Sequence, residues 1–337
     1  AAPFQNTGLN GPKIDYYNVG NVGWAGLNGL VEYNDNDKLT AVIQAGVSNQ
    51  SFQREDYFDQ PANPISETEN VMGGYVKGGA NYNLDESSNV FFNAGFISRQ
   101  PQFDAVFPNY GNTINDDLQN EEITSIELGY GFLTDELTLN ANVYATTWGN
   151  RFRSLSLTNA QGVDGFAQFR DIDVQHNGIE LEATYRPTNR LKFDGMLSMG
   201  DWRYTKNFEA ELFDENQESI GTGTLYTKGA KVGDAAQFVA NAGVDYRIGN
   251  NINVDLGYRF VDGLYADYSI TDSDFADPDN LGAMKLPSYG LVDAGLTARI
   301  GDFTFRTNIN NLLNTTYIAE SNTNIHATDA SDTWNGV

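Results

Sequence analysis

Gly178-Ile179-Glu180-Leu181-Glu182-Ala183-Thr184-Tyr185 alternates strictly, with Ile179, Leu181, Ala183 and Tyr185 on one side of an extended chain and Gly178, Glu180, Glu182 and Thr184 on the other. Two carboxylates at alternate positions of an otherwise apolar strand require water on their side, because an unpaired buried charge is costly. A dry sandwich core does not offer that water, whereas the polar interior of a membrane β-barrel does. The stretch therefore reads as a spanning strand with hydrocarbon on one face and water on the other.

The same period recurs on both sides of it. Leu137, Leu139, Ala141, Val143 and Ala145 oppose Thr138, Asn140, Asn142, Tyr144 and Thr146, and Leu39, Ala41, Ile43, Ala45 and Val47 oppose Thr40, Gln44, Gly46 and Ser48, with Val42 as the exception. Twelve segments of about 10 to 15 residues share this pattern. Gln44, Asn140, Asn142, Glu180 and Glu182 are accordingly expected to face a water-filled lumen.

The connections alternate in length. Asn34-Asp35-Asn36-Asp37, Asp85-Glu86-Ser87-Ser88, Thr134-Asp135, Pro187-Thr188-Asn189, Gly249-Asn250-Asn251 and Gly301-Asp302 are tight hairpin turns. Between them lie long polar connections at about 52 to 70, 99 to 119, 150 to 174, 203 to 234 and 262 to 286, with a tail from about 316. Short turns on one side and long loops on the other are what a transmembrane barrel shows, turns in the periplasm and loops outside. The expected fold is an all-β, transmembrane antiparallel β-barrel, present in part. The first expected strand (about 21 to 33) enters a tight turn and the twelfth (about 302 to 313) leaves one, so an odd number of strands is expected to be missing at each end. An open sheet would otherwise leave two unpaired edges.

Composition narrows the function classes. The 337 residues are 40% hydrophobic and 12% aromatic, enough to bury a sizeable apolar surface, and no apolar run is long enough for a transmembrane helix. The mean hydropathy of −0.44 does not argue against a barrel, whose strands are half polar. Twenty Lys and Arg against 45 Asp and Glu give a net charge of −25, which makes nucleic acid an implausible partner. Cysteine is absent, so no thiolate metal site or disulfide framework exists. Ala1-Ala2-Pro3-Phe4 has no features of a signal peptide.

Several residues are candidates for more than scaffold. Trp24, Tyr33, Tyr75, Tyr82, Tyr130, Phe132, Tyr144, Trp148, Tyr185, Trp202, Tyr204, Tyr246, Tyr258 and Phe260 fall toward strand ends and are expected to form girdles at the membrane interfaces. The acidic loop residues Asp267, Asp272, Asp274, Asp277 and Asp279, with Asp116 and Asp117, are weak calcium candidates without EF-hand spacing, and a solvated acidic loop explains them better. Catalysis finds little support: there are two histidines, His176 and His326, and no Gly-x-Ser-x-Gly elbow. No cofactor is expected. A soluble propeller-like protein fits less well, since a blade needs four short strands in about 50 residues.

From Met72 to about Tyr317 the chain resembles the C-terminal barrel of TonB-dependent outer-membrane receptors, particularly the Bacteroidetes type. The likeness is carried by Gly78-Gly79-Ala80-Asn81-Tyr82-Asn83-Leu84-Asp85, Ser98-Arg99-Gln100-Pro101-Gln102-Phe103-Asp104-Ala105-Val106-Phe107, Gly178 to Tyr185, Lys231-Val232-Gly233-Asp234-Ala235-Ala236-Gln237 and Leu286-Pro287-Ser288-Tyr289-Gly290-Leu291-Val292-Asp293. Near the end, Asn310-Asn311-Leu312-Leu313-Asn314-Thr315-Thr316-Tyr317 resembles the family's penultimate-strand motif.

The resemblance implies a barrel of about 22 strands, with the early strands and a plug domain before residue 1 and one strand after Val337. It also implies residence in the outer membrane of a Gram-negative bacterium and energised import of a scarce ligand: a siderophore, glycan, peptide or cobalamin. The implied partners are outer-membrane lipid, the TonB-ExbB-ExbD complex acting through the upstream region, and in the glycan-importing branch a surface lipoprotein. Ligand contacts in such receptors come from the lumen wall and outer loops, which selects Arg99, Gln102, Asp104, Asn109, Tyr110, Trp148, Arg151, Arg153 and Arg170. The arginines suit an anionic ligand, or pairing with the abundant carboxylates. A passive porin-like channel is the alternative, and would carry a constriction loop folded into the lumen; a soluble all-β binding protein is a further one.

Overall fold

The computed structural model describes residues 17–58, 61–108, 111–158, 164–214, 218–269, 273–323 and 333–334. The wall consists of β1 (Asn18–Asn34), β2 (Leu39–Asp56), β3 (Glu69–Asn83), β4 (Ser88–Arg99), β5 (Glu121–Leu133), β6 (Leu137–Thr158), β7 (Asp164–Thr188) and β8 (Leu191–Tyr204). After the hairpin of β9 (Phe208–Asp214) and β10 (Ser219–Leu225) it continues with β11 (Phe238–Ile248), β12 (Ile252–Asp262), β13 (Tyr289–Ile300) and β14 (Phe303–Ile309). Neighbours pair antiparallel in chain order, except that β8 passes to β11, while β9 pairs with β7 and β10 with β9. The result is one 14-stranded sheet, a partial barrel whose edge strands β1 and β14 each have one neighbour.

Local chemistry sets the tight turns. Asp35 Oδ1 accepts the amide N–H groups of Asp37, Lys38 and Leu39 at 3.0, 2.8 and 2.9 Å, around Asn36 at φ 60°. Asp85 plays the same part for Ser87 and Ser88, and the Thr188 hydroxyl for Arg190 and Leu191. Short polar side chains that bond their own backbone are what such reversals select.

Register then sorts the side chains into two faces. Gln44 opposes Lys77, Glu127 opposes Tyr144, Asn142 opposes Glu180 and Asn140 opposes Glu182, so these share one side of the sheet. Polar groups there bond along the wall: Asn142 Nδ2 donates to Glu127 Oε1 at 2.9 Å and to Glu180 Oε2 at 3.3 Å, and Gln44 Nε2 to the Tyr75 hydroxyl at 2.9 Å. The other face carries Ile43, Leu128, Ile179 and Leu296, which are 54, 56, 54 and 46% exposed. An apolar face of that extent in a single-layer sheet is far larger than water-soluble proteins leave open. In β2, β6 and β7 its apolar stretches run about nine residues, the length of a spanning strand.

Two expectations change. The stretches 150 to 174 and 203 to 234, read as long polar connections, are largely strand: β6 and β7 run 22 and 25 residues, well past the apolar band, and β9 and β10 extend the sheet there. Their alternate apolar residues Ala167, Phe169, Phe208, Ala210 and Leu225 close on Ile172 and Phe275 in a core of their own, which outweighs the polar composition. Fourteen sheet strands thus stand where twelve were expected, twelve of them forming the continuous wall. The aromatics also divide. Tyr33, Tyr82, Tyr130, Phe132, Tyr185, Tyr246, Tyr258 and Phe260 lie on the apolar face, but Trp24, Tyr75, Tyr144, Trp148, Trp202 and Tyr204 share the polar face with Gln44 and Glu180, where no girdle forms. Strand-end position alone does not say which side a ring takes.

Candidate functional site

The long-loop end of the wall holds a concavity lined by several of the residues selected from the sequence. The segment after β4 turns back over the polar face: Gln100 Nε2 donates to Ser48 Oγ at 2.7 Å, and a one-turn helix α1 (Phe103–Val106) lays the Phe103 ring over Gly20. A Cβ on Gly20 would stand 3.0 Å from that ring, so any side chain there would press on the seat. Phe52, Val106 and Phe107 are 1, 0 and 2% exposed, with Phe103, Val71, Ile114 and Leu118 packed around them. Beside this core lies a buried ion pair, Arg54 Nη1 to Asp56 Oδ2 at 3.0 Å, and Arg54 reaches Asn112 Oδ1 at 3.0 Å, tying strand to loop. Asn115 Nδ2 donates to the Ala105 carbonyl at 3.0 Å and fixes the far limb of the loop.

Opposite, β6 carries an irregularity. Its register with β7 shifts between Trp148 and Arg151 and again before Arg153, with Asn150 and Asp171 both at φ 56°. Such a bulge re-aims the side chains that follow it. Trp148 remains on the polar face and donates Nε1–H to Glu121 Oε2 at 3.2 Å, while Arg99 Nη1 reaches the same oxygen at 3.3 Å. The Arg151 guanidinium lies 4.7 Å over the Trp148 ring, on the side of the Tyr204 hydroxyl. Arg170 bonds Asp117 and Gln168, and lies 3.7 Å from Glu211, joining the loop to the outer extension of β7 and β9.

Between these walls is a cavity of about 160 Å³, lined by residues including Gln102, Asp104, Glu121, Asn150, Arg153 and Ser154. Of the residues selected from the sequence, Gln102, Asp104 and Arg153 line this cavity. Arg99 and Trp148 are bonded to Glu121, another lining residue, while Arg151 stands over Trp148 and Arg170 pairs with Asp117, outside the lining. Asn109, Tyr110 and Asp272 lie outside the described residues. Glu121 and Asn150 belong to the same surroundings and escaped the sequence reading, and Tyr204, expected in a girdle, stands there too; the one available sign was a carboxylate at the mouth of a strand, Glu121, four places after Asp117. Gln44, Asn140, Asn142, Glu180 and Glu182 line the polar wall nearer the tight turns and take no part in the cavity. Asp277 accepts the Asp279 amide in a local turn and Asp117 pairs with Arg170; among the described residues no three acidic or histidine side chains are grouped to hold a metal.

The TonB-dependent receptor-like β-barrel profile matches residues 2–312. The chain belongs to the TonB-dependent receptor family. No curated protein matches the sequence. Among solved structures, the chain is similar to the unliganded ferric citrate transporter FecA, at 14% identity and a TM-score of 0.65, with 98% of this chain and 45% of that one covered. It is also similar to the siderophore receptor PiuA of Acinetobacter baumannii (16% identity, TM-score 0.61, 94% and 41% covered) and to the copper transporter OprC (16%, 0.60, 88% and 43%). At such identities the likeness is one of fold. The chain spans less than half the length of the solved structures it matches. The TonB-dependent receptors are outer-membrane β-barrel proteins of receptor and transporter type.

Proposed function

We propose that the whole protein is an outer-membrane receptor that captures a scarce ligand at the loop-end cavity and imports it with energy transmitted by TonB. The supporting observation is the convergence of Gln102, Asp104 and Arg153 on one cavity at the end of the wall that carries the long loops, with Trp148 bonded to Glu121 of its lining, above a polar face that continues toward the tight turns. The apolar face would sit in outer-membrane lipid, and TonB would act through the region upstream of this chain. A siderophore or other metal complex is the ligand type that the names of the similar structures suggest; glycans, peptides and cobalamin remain within the same reading.

A passive channel is the second reading, favoured by one observation: Gln100, Phe103, Val106, Phe107 and Ile114 lie over the polar face much as a constriction loop would. One experiment separates the two. Strains lacking the receptor or TonB are grown on a panel in which the limiting nutrient is an iron complex, a glycan, a peptide or cobalamin. Both deletions should remove growth on the same member, and a full-length receptor with Gln102, Asp104 and Arg153 replaced by Ala should reach the membrane without restoring it. Unimpaired uptake in the strain without TonB would leave the passive channel; full rescue by the triple variant would remove the cavity from the path.

A further inference from the structure

The outer extension of the sheet ends in a strand with one neighbour. Among the described residues β9 pairs with both β7 and β10, whereas β10 pairs with β9 alone. In an antiparallel pair, successive residues turn their N–H and C=O groups alternately toward the partner strand and away from it. Tyr226, next after β10, fixes the phase, because its amide donates to the Phe275 carbonyl at 2.7 Å. Thr224 and Thr222, two and four places earlier, therefore direct their backbone groups away from β9, and both residues are exposed. The Phe275 carbonyl thus occupies the first bonding position along this edge, and the positions at Thr224 and Thr222 continue the row.

An exposed edge of this kind is a template for another extended chain, which natural strands discourage with Lys, Pro or a bulge. Ser219–Leu225 holds no charged residue and no Pro, and its one register shift, at Ile220, lies at the turn end and leaves Thr222 to Leu225 regular. The two faces beside the edge differ. Gly223 opposes Ala210 and Gly221 opposes Leu212 on the side of the buried core, and a Cβ on either glycine would meet nothing within 4 Å. That strip has room for apolar or aromatic side chains, as when a ring covers an edge glycine. On the other face Thr224 opposes Glu209 and Thr222 opposes Glu211. Glu209 is exposed and has no ion pair among the described residues, and Glu211 has Arg170 at 3.7 Å. An added strand would lie about 10 Å from β9, two strand spacings, a gap that a Lys or Arg side chain closes toward a Glu.

The geometry points to the free edge of β10 as a docking site on the long-loop side for an extended peptide segment of a partner protein. That segment alternates basic with apolar residues and adds a strand to the sheet, its backbone bonding Thr222 and Thr224. A chain with 45 acidic and 20 basic side chains favours the approach of such a partner as well. A second copy of this chain fits less well, since β10 against β10 would set the face of Glu209 and Glu211 beside itself. Neither β9 nor β10 contributes to the lining of the cavity, so docking here goes beyond the import reading and is separate from it.

The test uses the full-length receptor in detergent and a short labelled peptide that alternates Lys and Val, with binding followed by fluorescence anisotropy. The same peptide with every backbone nitrogen methylated keeps its charge but cannot extend a sheet, and should bind about tenfold more weakly, as should a peptide alternating Glu and Val. In the receptor, Thr222→Pro with Thr224→Pro removes two outward N–H groups while leaving the bonds to β9, and should weaken binding about tenfold. Glu209→Gln should weaken it about threefold. Hydrogen exchange should slow on peptide addition in 219–225, and exchange of 208–214 without peptide reports whether the hairpin survives the proline pair. If it does not, the methylated peptide decides. The variant with Gln102, Asp104 and Arg153 replaced by Ala should bind the peptide as the parent does, which separates this site from the import path. Equal binding of the methylated peptide, equal binding of the Glu peptide, or protection confined to other segments overturns the proposal. So does protection of 219–225 that rises with receptor concentration in the absence of peptide, which would give the edge to a second copy.

Discussion

Replacing Phe107 by Ala tests whether the loop over the polar face is a built part of the wall or a loose cover. Phe107 is 2% exposed, its ring centroid lies 5.1 Å from that of Phe103, and it shares a closed cluster with Phe52 and Val106. Truncating a buried Phe to Ala removes its transfer free energy and leaves a cavity, at a cost of about 3–5 kcal/mol. The loop's other ties to the sheet are polar, among them Gln100 to Ser48, Arg54 to Asn112, Arg170 to Asp117 and Asn120 to Ser98, and none fills the apolar seat, so the loss should fall on local opening of the loop. At about 1.4 kcal/mol per decade, amide exchange of peptides spanning 101–118 should accelerate by about two to three orders of magnitude. Exchange in β3 to β5 should stay unchanged. Hydrogen exchange read by mass spectrometry on the full-length receptor measures both. Unaltered exchange in 101–118 would show that the apolar seat does not hold the loop, and equal acceleration in the strands would show that loop and barrel open as one unit.

Further outcomes follow from the two faces and the turns. Gly20→Val places atoms against the Phe103 ring and should loosen the same loop by about 1–3 kcal/mol, read by the same exchange experiment; an unchanged profile would mean the ring moves aside freely. Leu128→Arg puts a charge on the apolar face and should cost about 2–4 kcal/mol of insertion, lowering the yield of folded, heat-modifiable receptor, whereas Asn142→Arg, between Glu127 and Glu180 on the polar face, should insert normally; equal yields would contradict the assignment of faces. Amide donation from Leu39, Asp37 and Lys38 holds the Asp35 carboxyl below its ordinary range. A carboxyl depressed in the folded state stabilises above its unfolded pKa near about 4 and loses that contribution as pH falls through the folded value. Acid loosening of the β1–β2 turn should therefore appear only below about pH 4 and vanish in Asp35→Ala, followed by exchange of residues 34–40; the same acid profile in the variant would assign it to another group.

Alternation alone determined the wall, because a side-chain period of two on a strand leaves no freedom over which residues share a face once Glu180 and Glu182 demand water. The tight turns were equally legible, since Asp35, Asp85 and Thr188 bond within four residues of themselves and need no distant partner. Family resemblance singled out Gln102, Asp104 and Arg153, which the fold brings to one cavity, but what each would do there was not legible. Whether an arginine is neutralised depends on what stands across the space from it. Arg170 meets Asp117 and Glu211, and Arg99 meets Glu121, while Arg151 meets an indole ring. Those pairings join residues 22 to 53 positions apart, except for the Trp148 contact, whose geometry depends on a bulge that changes the register of β6 against β7. The outer extension of β6, β7, β9 and β10 was hidden for the same reason. Its alternation becomes visible only when Phe169, Phe208 and Phe275 are brought together, because their burial is supplied by other loops and not by the membrane.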